Sequence, residues 1–277
     1  MSMSSFVCHG FEWCPGRQYK LDAAGSERER LTNLTFAGGK GMVKDEGRLG
    51  DWSQVYSGRR FYPIDPRPED LDVISLAVSL SNQARYAGHC RRFSVAEHTW
   101  LCSYLVPEHL RLEALMHDGP ESIVTDMIRP VKRNLGRDNT YFVMERNIWE
   151  KAFVAKWPTY LALELRREVV EADVAILGLE KQVLHPRSDP WDLPFPVPTT
   201  IKIHCYPPEV MANLWLYRYC ELTGEDYRPY AQTLDHYRAQ DQEAFMSQWD
   251  VKLLGGGDDL PRFTFPPVVE SLTSRRP

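Results

Sequence analysis

No apolar run in this chain approaches the roughly 18 residues needed to cross a bilayer. Met1 to Ser5 carries neither a charged n-region nor a long apolar stretch, so no secretory signal is expected there. A basic excess is also lacking: the net charge is -5 and the pI near 5.9, which argues against bulk binding to polymeric nucleic acid or an anionic membrane. The six cysteines, Cys8, Cys14, Cys90, Cys102, Cys205 and Cys220, form no CxxC pair. A chain of 277 residues buries a core without disulfides, so free thiols and a cytoplasmic location are expected. Cys8-His9 with Cys14 lacks the second half of a zinc site. Gly38-Gly39-Lys40-Gly41 fails as a phosphate loop, because Gly41 stands where that loop needs a hydroxyl. No internal repeat is apparent.

What is present is the texture of a soluble helical protein, 43% hydrophobic and 26% charged. Residues 1–50 read as a partly irregular extension, 51–230 as the main domain, and 231–277 as a C-terminal extension with a flexible tail around Gly255-Gly256-Gly257. An aromatic, proline-bearing arm from Ser57 to Pro66 precedes a helix capped by Asp70 or Asp72 and carrying Ile74, Leu76, Ala77, Val78 and Leu80. Ser94-Val95-Ala96-Glu97 is a capping box, which makes Glu97 a structural cap. Val95, His98, Cys102 and Leu105 then recur at helical spacing, so His98 shares an apolar face.

Another helix runs from Glu108 to His117-Asp118, with Leu112, Leu115 and Met116 inward. Gly119-Pro120 breaks it. A helix carrying Glu121, Ile123, Val124, Asp126 and Ile128 is expected next, stopped by Pro130. A further helix spans about Asn139 to Lys156. Leu161, Leu165, Val169, Asp173 and Ile176-Leu177 form one stripe, in which Asp173 is the exception. A carboxylate on such a face costs several kcal/mol unless paired or metal-bound. Five prolines between His185 and Thr200 mark an extended crossing. A helix from Pro207-Pro208 to about Leu222 is expected to turn Val210, Leu214 and Tyr217 inward, and one more helix falls within Tyr227 to Trp249.

His98, His117, Asp118 and Asp173 thus come from three helices, a mixed imidazole and carboxylate set suited to a divalent metal. The order H…HD…D resembles that of the HD-domain phosphohydrolases. Arg85-Tyr86, the Gly88-His89 that follows, Ser94 to His98, His117-Asp118 with Glu121 and Asp126, and Glu171-Ala172-Asp173 are similar to the 5'-deoxynucleotidase branch, which includes small phage and bacterial dATP triphosphohydrolases. The likeness runs from about Trp52 to Leu222. It implies an all-α HD-domain helical bundle, a homo-oligomer, and one divalent ion (Mn, Co, Zn, Fe or Mg) on His98, His117, Asp118 and Asp173. Glu121 would then be the acid/base for the attacking water, Asp126 would assist or contact the sugar, and Arg85 would hold a phosphate. Tyr86 would pack on sugar or base, although the bacterial nucleotidases carry tryptophan there. His89, Arg91, Arg92 and Lys132 are further candidates for substrate contact.

Dinuclear HD oxygenases and cyclic-dinucleotide phosphodiesterases place additional histidines between the doublet and the last aspartate. No histidine occurs here between His117 and His185, which favours a single metal. A nucleotide-sensing domain without catalysis would be expected to lose a ligand or Glu121, and none is missing. The expected reaction is hydrolysis of the 5'-phosphate ester of a deoxynucleotide, releasing phosphate from a monophosphate or triphosphate from a dNTP.

Overall fold

The computed structural model describes residues 47–136, 139–191 and 193–247. The readings at Cys8, His9, Cys14, Gly38 to Gly41 and Gly255 to Gly257 fall outside them. Two compact units divide at Tyr227 and Arg228. The first is helical apart from one antiparallel ribbon, β1 (Ser53–Gln54) paired with β2 (Arg60–Phe61). Besides that ribbon, one isolated antiparallel bridge joins Ala84 and Ser94. Ahead of it Arg48 pairs with Asp65 and Asp70 and lies 4.1 Å over the Tyr62 ring, which ties the arm down.

Helix α1 (Val73–Asn82) starts at Asp72, whose carboxylate accepts from the Ser75 amide at 3.0 Å. Helix α2 (Val95–Cys102) starts at Ser94, whose hydroxyl accepts from the Glu97 amide at 3.1 Å. The second half of the expected capping box is replaced. The fully buried Glu97 carboxylate accepts from the amides of His204, Cys205 and Tyr206 at 2.7 to 2.9 Å. It caps a crossing segment more than a hundred residues away and fastens that segment to α2. Helix α3 (Arg111–Met116) follows a 3-10 turn at Glu108–Leu110, and α1, α2 and α3 all pack on α8 (Pro208–Thr223). Trp215 donates to Thr99 Oγ1 at 3.2 Å and Arg218 to Ser103 at 3.1 Å, so the polar groups in this contact are bonded.

Four expectations change. Helix α4 is a single turn (Glu121–Val124), ended at Thr125 with φ 68°, so Asp126 and Ile128 leave the helix. Pro130 opens α5 (Arg129–Leu135) rather than stopping a helix, since proline needs no amide partner in a first turn. The stripe from Leu161 to Asp173 is two structures. Leu161 closes the segment after α6 (Thr140–Ile148) and its π-helical continuation (Trp149–Val154), donating to Trp157 O. Helix α7 (Arg167–Leu184) begins only after Arg166, whose amide and guanidinium both go to the buried Glu113 carboxylate. On α8 the inward face is Met211, Ala212, Trp215, Leu216 and Tyr219, with Tyr217 exposed. Arg218 reaching Ser103 fixes that rotation. Helix α9 (Tyr227–Ser247) fills the span predicted for a last helix. No helix among the described residues is long and apolar enough to cross a membrane.

The turn between α3 and α4 has no room for a side chain. A Cβ at Gly119 would lie 2.2 Å from Phe153 Cε1 and 2.8 Å from Met116 O. Gly119→Ala is therefore expected to destabilise the protein by about 1–3 kcal/mol. Calorimetry should show a lower thermal midpoint, and an unchanged midpoint would refute this packing.

Candidate metal centre

Three chain reversals bring the chemistry-bearing residues together. The 84–94 loop is pinched shut where Arg85 N donates to Phe93 O at 2.9 Å and Val95 N to Gln83 O at 3.1 Å, which sets Arg85 beside the first turns of α2. Its tip holds Tyr86 and Ala87 in the left-handed region, φ 58° and 51°, a strained state for residues with a Cβ. At the end of α3, His117 and Asp118 lie in the tight Gly119 turn, and Glu121 begins α4. Gln83 spans α4, donating to Glu121 O at 2.9 Å and accepting from Asp126 N at 2.9 Å. Asp173 projects from the middle of α7.

The four donor residues converge. His98 Nε2 is 3.1 Å from Asp173 Oδ1 and 3.7 Å from Asp118 Oδ2, and His117 Nε2 is 3.3 Å from Asp118 Oδ2. The two rings lie 5.4 Å apart. His117 Nδ1 donates to Ala114 O at 2.8 Å, which fixes the tautomer and turns Nε2 into the site. That Nε2 is buried and makes no well-directed hydrogen bond, its nearest carboxylate oxygen being Asp118 Oδ2 at 3.3 Å. An unsatisfied buried polar atom costs about 1–3 kcal/mol, so its position suits a cation that would accept its lone pair. Donors of this chemistry, with neighbours 3.1 to 3.7 Å apart, fit a divalent ion.

Charge is packed tightly here. Burial opposes protonation of His117, yet Asp118 and its neighbours push its pKa up to about 9. Burial likewise disfavours the Asp118 carboxylate, but His117, His98 and Arg85 hold its carboxyl well below the usual range. The Asp173 carboxyl is also lowered, against burial, by His98 and by Arg129, which donates to Oδ2 at 2.8 Å. Glu121 goes the other way. Burial and the nearby Asp118 raise its carboxyl well above normal, opposed by Lys132. Lys132 bonds Glu121 Oε1 at 2.9 Å and Glu145 Oε1 at 3.0 Å, while Glu121 Oε2 is buried without a partner.

Other candidates sit differently. Arg85 is buried, its Nη1 3.5 Å from Asp118 and its Nε 3.4 Å from Glu180. Tyr86 donates to Glu180 Oε2 and packs edge-on to His185 at 4.5 Å. Its hydroxyl is thus turned to a carboxylate inside the protein. His89 and Arg91 are exposed on the loop, and Arg92 reaches the Asn82 carbonyl at the end of α1 at 3.3 Å. Lys132 serves two carboxylates.

Sequence reading missed Glu180, Arg129 and Glu145. Glu180 is the most consequential. It is fully buried and accepts from His98 Nδ1 at 2.6 Å, which leaves Nε2 for the centre. A signal existed, since Glu180 lies seven residues beyond Asp173 and so on the same face of α7. Arg129 and Glu145 had none.

The chain is 46% identical over 83 residues to the uncharacterized protein YfdR of Escherichia coli, a match covering 30% of this chain and 47% of that one. It is 32% identical over 142 residues to an uncharacterized protein of Rhodobacter capsulatus, covering 47% of this chain and 71% of that relative. The match thus spans about half the length of the first relative. No family model matches.

Removing Glu180 should loosen the centre before any chemistry is measured. Glu180→Ala is expected to weaken cobalt or zinc binding about 10–100-fold in a calorimetric titration. Glu180→Gln, which keeps an acceptor for Nδ1, should lose less. Equal affinity in all three proteins would show that Glu180 has no part in orienting His98.

Proposed function

The chain belongs to one family with the Rhodobacter capsulatus protein; since that relative is itself uncharacterized, the site must supply the function. We propose that this protein is an HD-domain phosphohydrolase with one divalent metal, acting on the 5'-phosphate ester of deoxynucleotides. The observation that carries the reading is the unpartnered, buried Nε2 of His117, set among His98, Asp118 and Asp173 beside a carboxyl of raised pKa. His98, His117, Asp118 and Asp173 would hold the ion. When bound, it supplies Lewis-acid activation of water and neutralises phosphoryl charge.

The chain's own residues do the rest. Water attacks the phosphorus nearest C5', and its proton passes to Glu121 Oε2, the oxygen that Lys132 leaves unbonded. A carboxyl whose pKa is raised by burial and by Asp118 both takes a proton and returns it, here to the departing O5'. Lys132 keeps the other oxygen fixed, so Glu121 does not rotate away. Arg85 faces the same space from the loop, and its guanidinium offsets charge on the equatorial phosphoryl oxygens. Burial of Asp126 raises its carboxyl, and Gln83 pins its backbone next to this path. The bond broken is P–O5', which gives a deoxynucleoside with phosphate or with triphosphate.

The test incubates purified protein with each dNMP, dNTP and NTP under Mn, Co, Zn or Mg and resolves the products by chromatography. Inorganic phosphate from dNMPs selects the nucleotidase form, and triphosphate from dNTPs the triphosphohydrolase form. Glu121→Gln should keep metal while kcat falls about 10²–10⁴-fold. Turnover of no nucleotide at all, or full turnover by Asp118→Ala, would sink the proposal.

A further inference from the structure

We propose that Cys102 is a further protein ligand of this centre, through its sulfur, and that the centre therefore selects a thiophilic ion such as zinc, cobalt or iron over magnesium. The inference rests on the metal centre proposed above and extends it to a donor outside the His-Asp set. Cys102 lies four residues after His98 on α2, so both side chains leave the helix on one face. Its residue is fully buried, and Sγ lies 3.7 Å from His98 Nε2. One donor atom each from His98, Cys102 and His117 falls within 4.8 Å of the others.

Those spacings are those of a coordination sphere. Metal–sulfur bonds near 2.3 Å and metal–nitrogen bonds near 2.0–2.1 Å, at angles between a right angle and the tetrahedral one, would place nitrogen and sulfur roughly 3.1–3.5 Å apart. An independent observation points to the same space: His117, a member of that group, has its Nε2 buried without a well-directed hydrogen bond. Elsewhere a cysteine sulfur is turned to backbone, as Cys90 is toward the Arg85 carbonyl at 3.9 Å. Cys102 is turned instead onto an imidazole nitrogen that already faces Asp173. The aspartates approach His98 Nε2 with oxygen, and Cys102 brings its sulfur toward the same nitrogen. A coordinating thiol gives up its proton on binding. Soft sulfur then favours zinc, cobalt or iron, whereas magnesium takes oxygen donors.

The full chain, stripped with a chelator and titrated with cobalt(II) alone, provides the readout. The wild-type protein should show visible ligand-field bands together with a near-ultraviolet sulfur-to-cobalt charge-transfer band. Cys102→Ser should keep the ligand-field bands and lose the charge-transfer band. In competition, its preference for zinc over magnesium should fall at least about tenfold, the order of a lost ligand contact. Ligand-field bands without charge transfer in the wild type would overturn the role of Cys102 and leave the centre standing. A charge-transfer band that survives in Cys102→Ser would overturn it equally. Absence of ligand-field bands in the wild type would overturn the centre itself, and the inference with it. Should the variant fail to fold, X-ray absorption of the wild type with one equivalent of zinc decides the matter. One sulfur neighbour at about 2.3 Å supports the inference, and none overturns it.

Discussion

The carboxylate of Glu180, fully buried in the middle of the protein, is the constraint from which the site follows. It carries a charge where bare burial of an ion is prohibitive, so its oxygens must be satisfied. They are met by His98 Nδ1, the Tyr86 hydroxyl and the Arg85 guanidinium. One group thereby orders one side chain of α2 and two of the 84–94 loop. The loop adopts left-handed backbone at Tyr86 and Ala87 to deliver them. Such strain, about 1–3 kcal/mol per residue, persists only where the surroundings over-determine it. The pinched loop base and the Glu180 bonds do so here.

A second buried carboxylate has the corresponding task on the other side of α2. Glu97 gathers three consecutive amides from the 204–206 crossing, including Cys205 at φ 57°. The crossing runs directly into α8, on which α1, α2 and α3 pack. Helix α2 is therefore gripped by Glu97 and Glu180, two charges of like sign contacting different elements. His98 lies between them in sequence and inherits their rigidity. As a ligand of the proposed centre it would be pre-organised, which reduces the ordering entropy lost on binding.

The sequence made much of this legible wherever periodicity and capping operate locally. The caps at Asp72 and Ser94, the inward Leu112, Leu115 and Met116, and the shared face of His98 and Cys102 all follow from spacing within one element. The break at Gly119 was legible too, although its reason, the Phe153 ring against the backbone, was not. What escaped depends on partners distant in the chain. Helix α7 begins late because Glu113 captures Arg166, 53 residues away, and no local pattern announces that. The face of α8 is set by Arg218 reaching Ser103, 115 residues back. Lys132 read as an available cation because Glu121 and Glu145 are eleven and thirteen residues from it, on other helices. Glu180 differs, since its seven-residue spacing from Asp173 was visible and only its burial was not.

Stability alone does not account for this concentration of charge. Replacing a buried ionic cluster with well-packed apolar residues is often neutral or stabilising by about 1–4 kcal/mol. Here Arg85, His98, Asp118, Glu121, Asp173 and Glu180 crowd into one region bordered by the apolar cluster of Phe93, Leu101, Val169 and Ile176. Among the buried atoms this region leaves without a hydrogen bond are His117 Nε2 and Glu121 Oε2. One is an imidazole nitrogen 3.3 Å from the Asp118 carboxylate, and the other is a carboxyl oxygen whose pKa is raised by burial and by Asp118. A purely structural network would satisfy both, because each costs free energy as it stands. Their pairing, an imidazole nitrogen and a carboxyl oxygen in one charged cluster, suits the proposed hydrolysis at a metal.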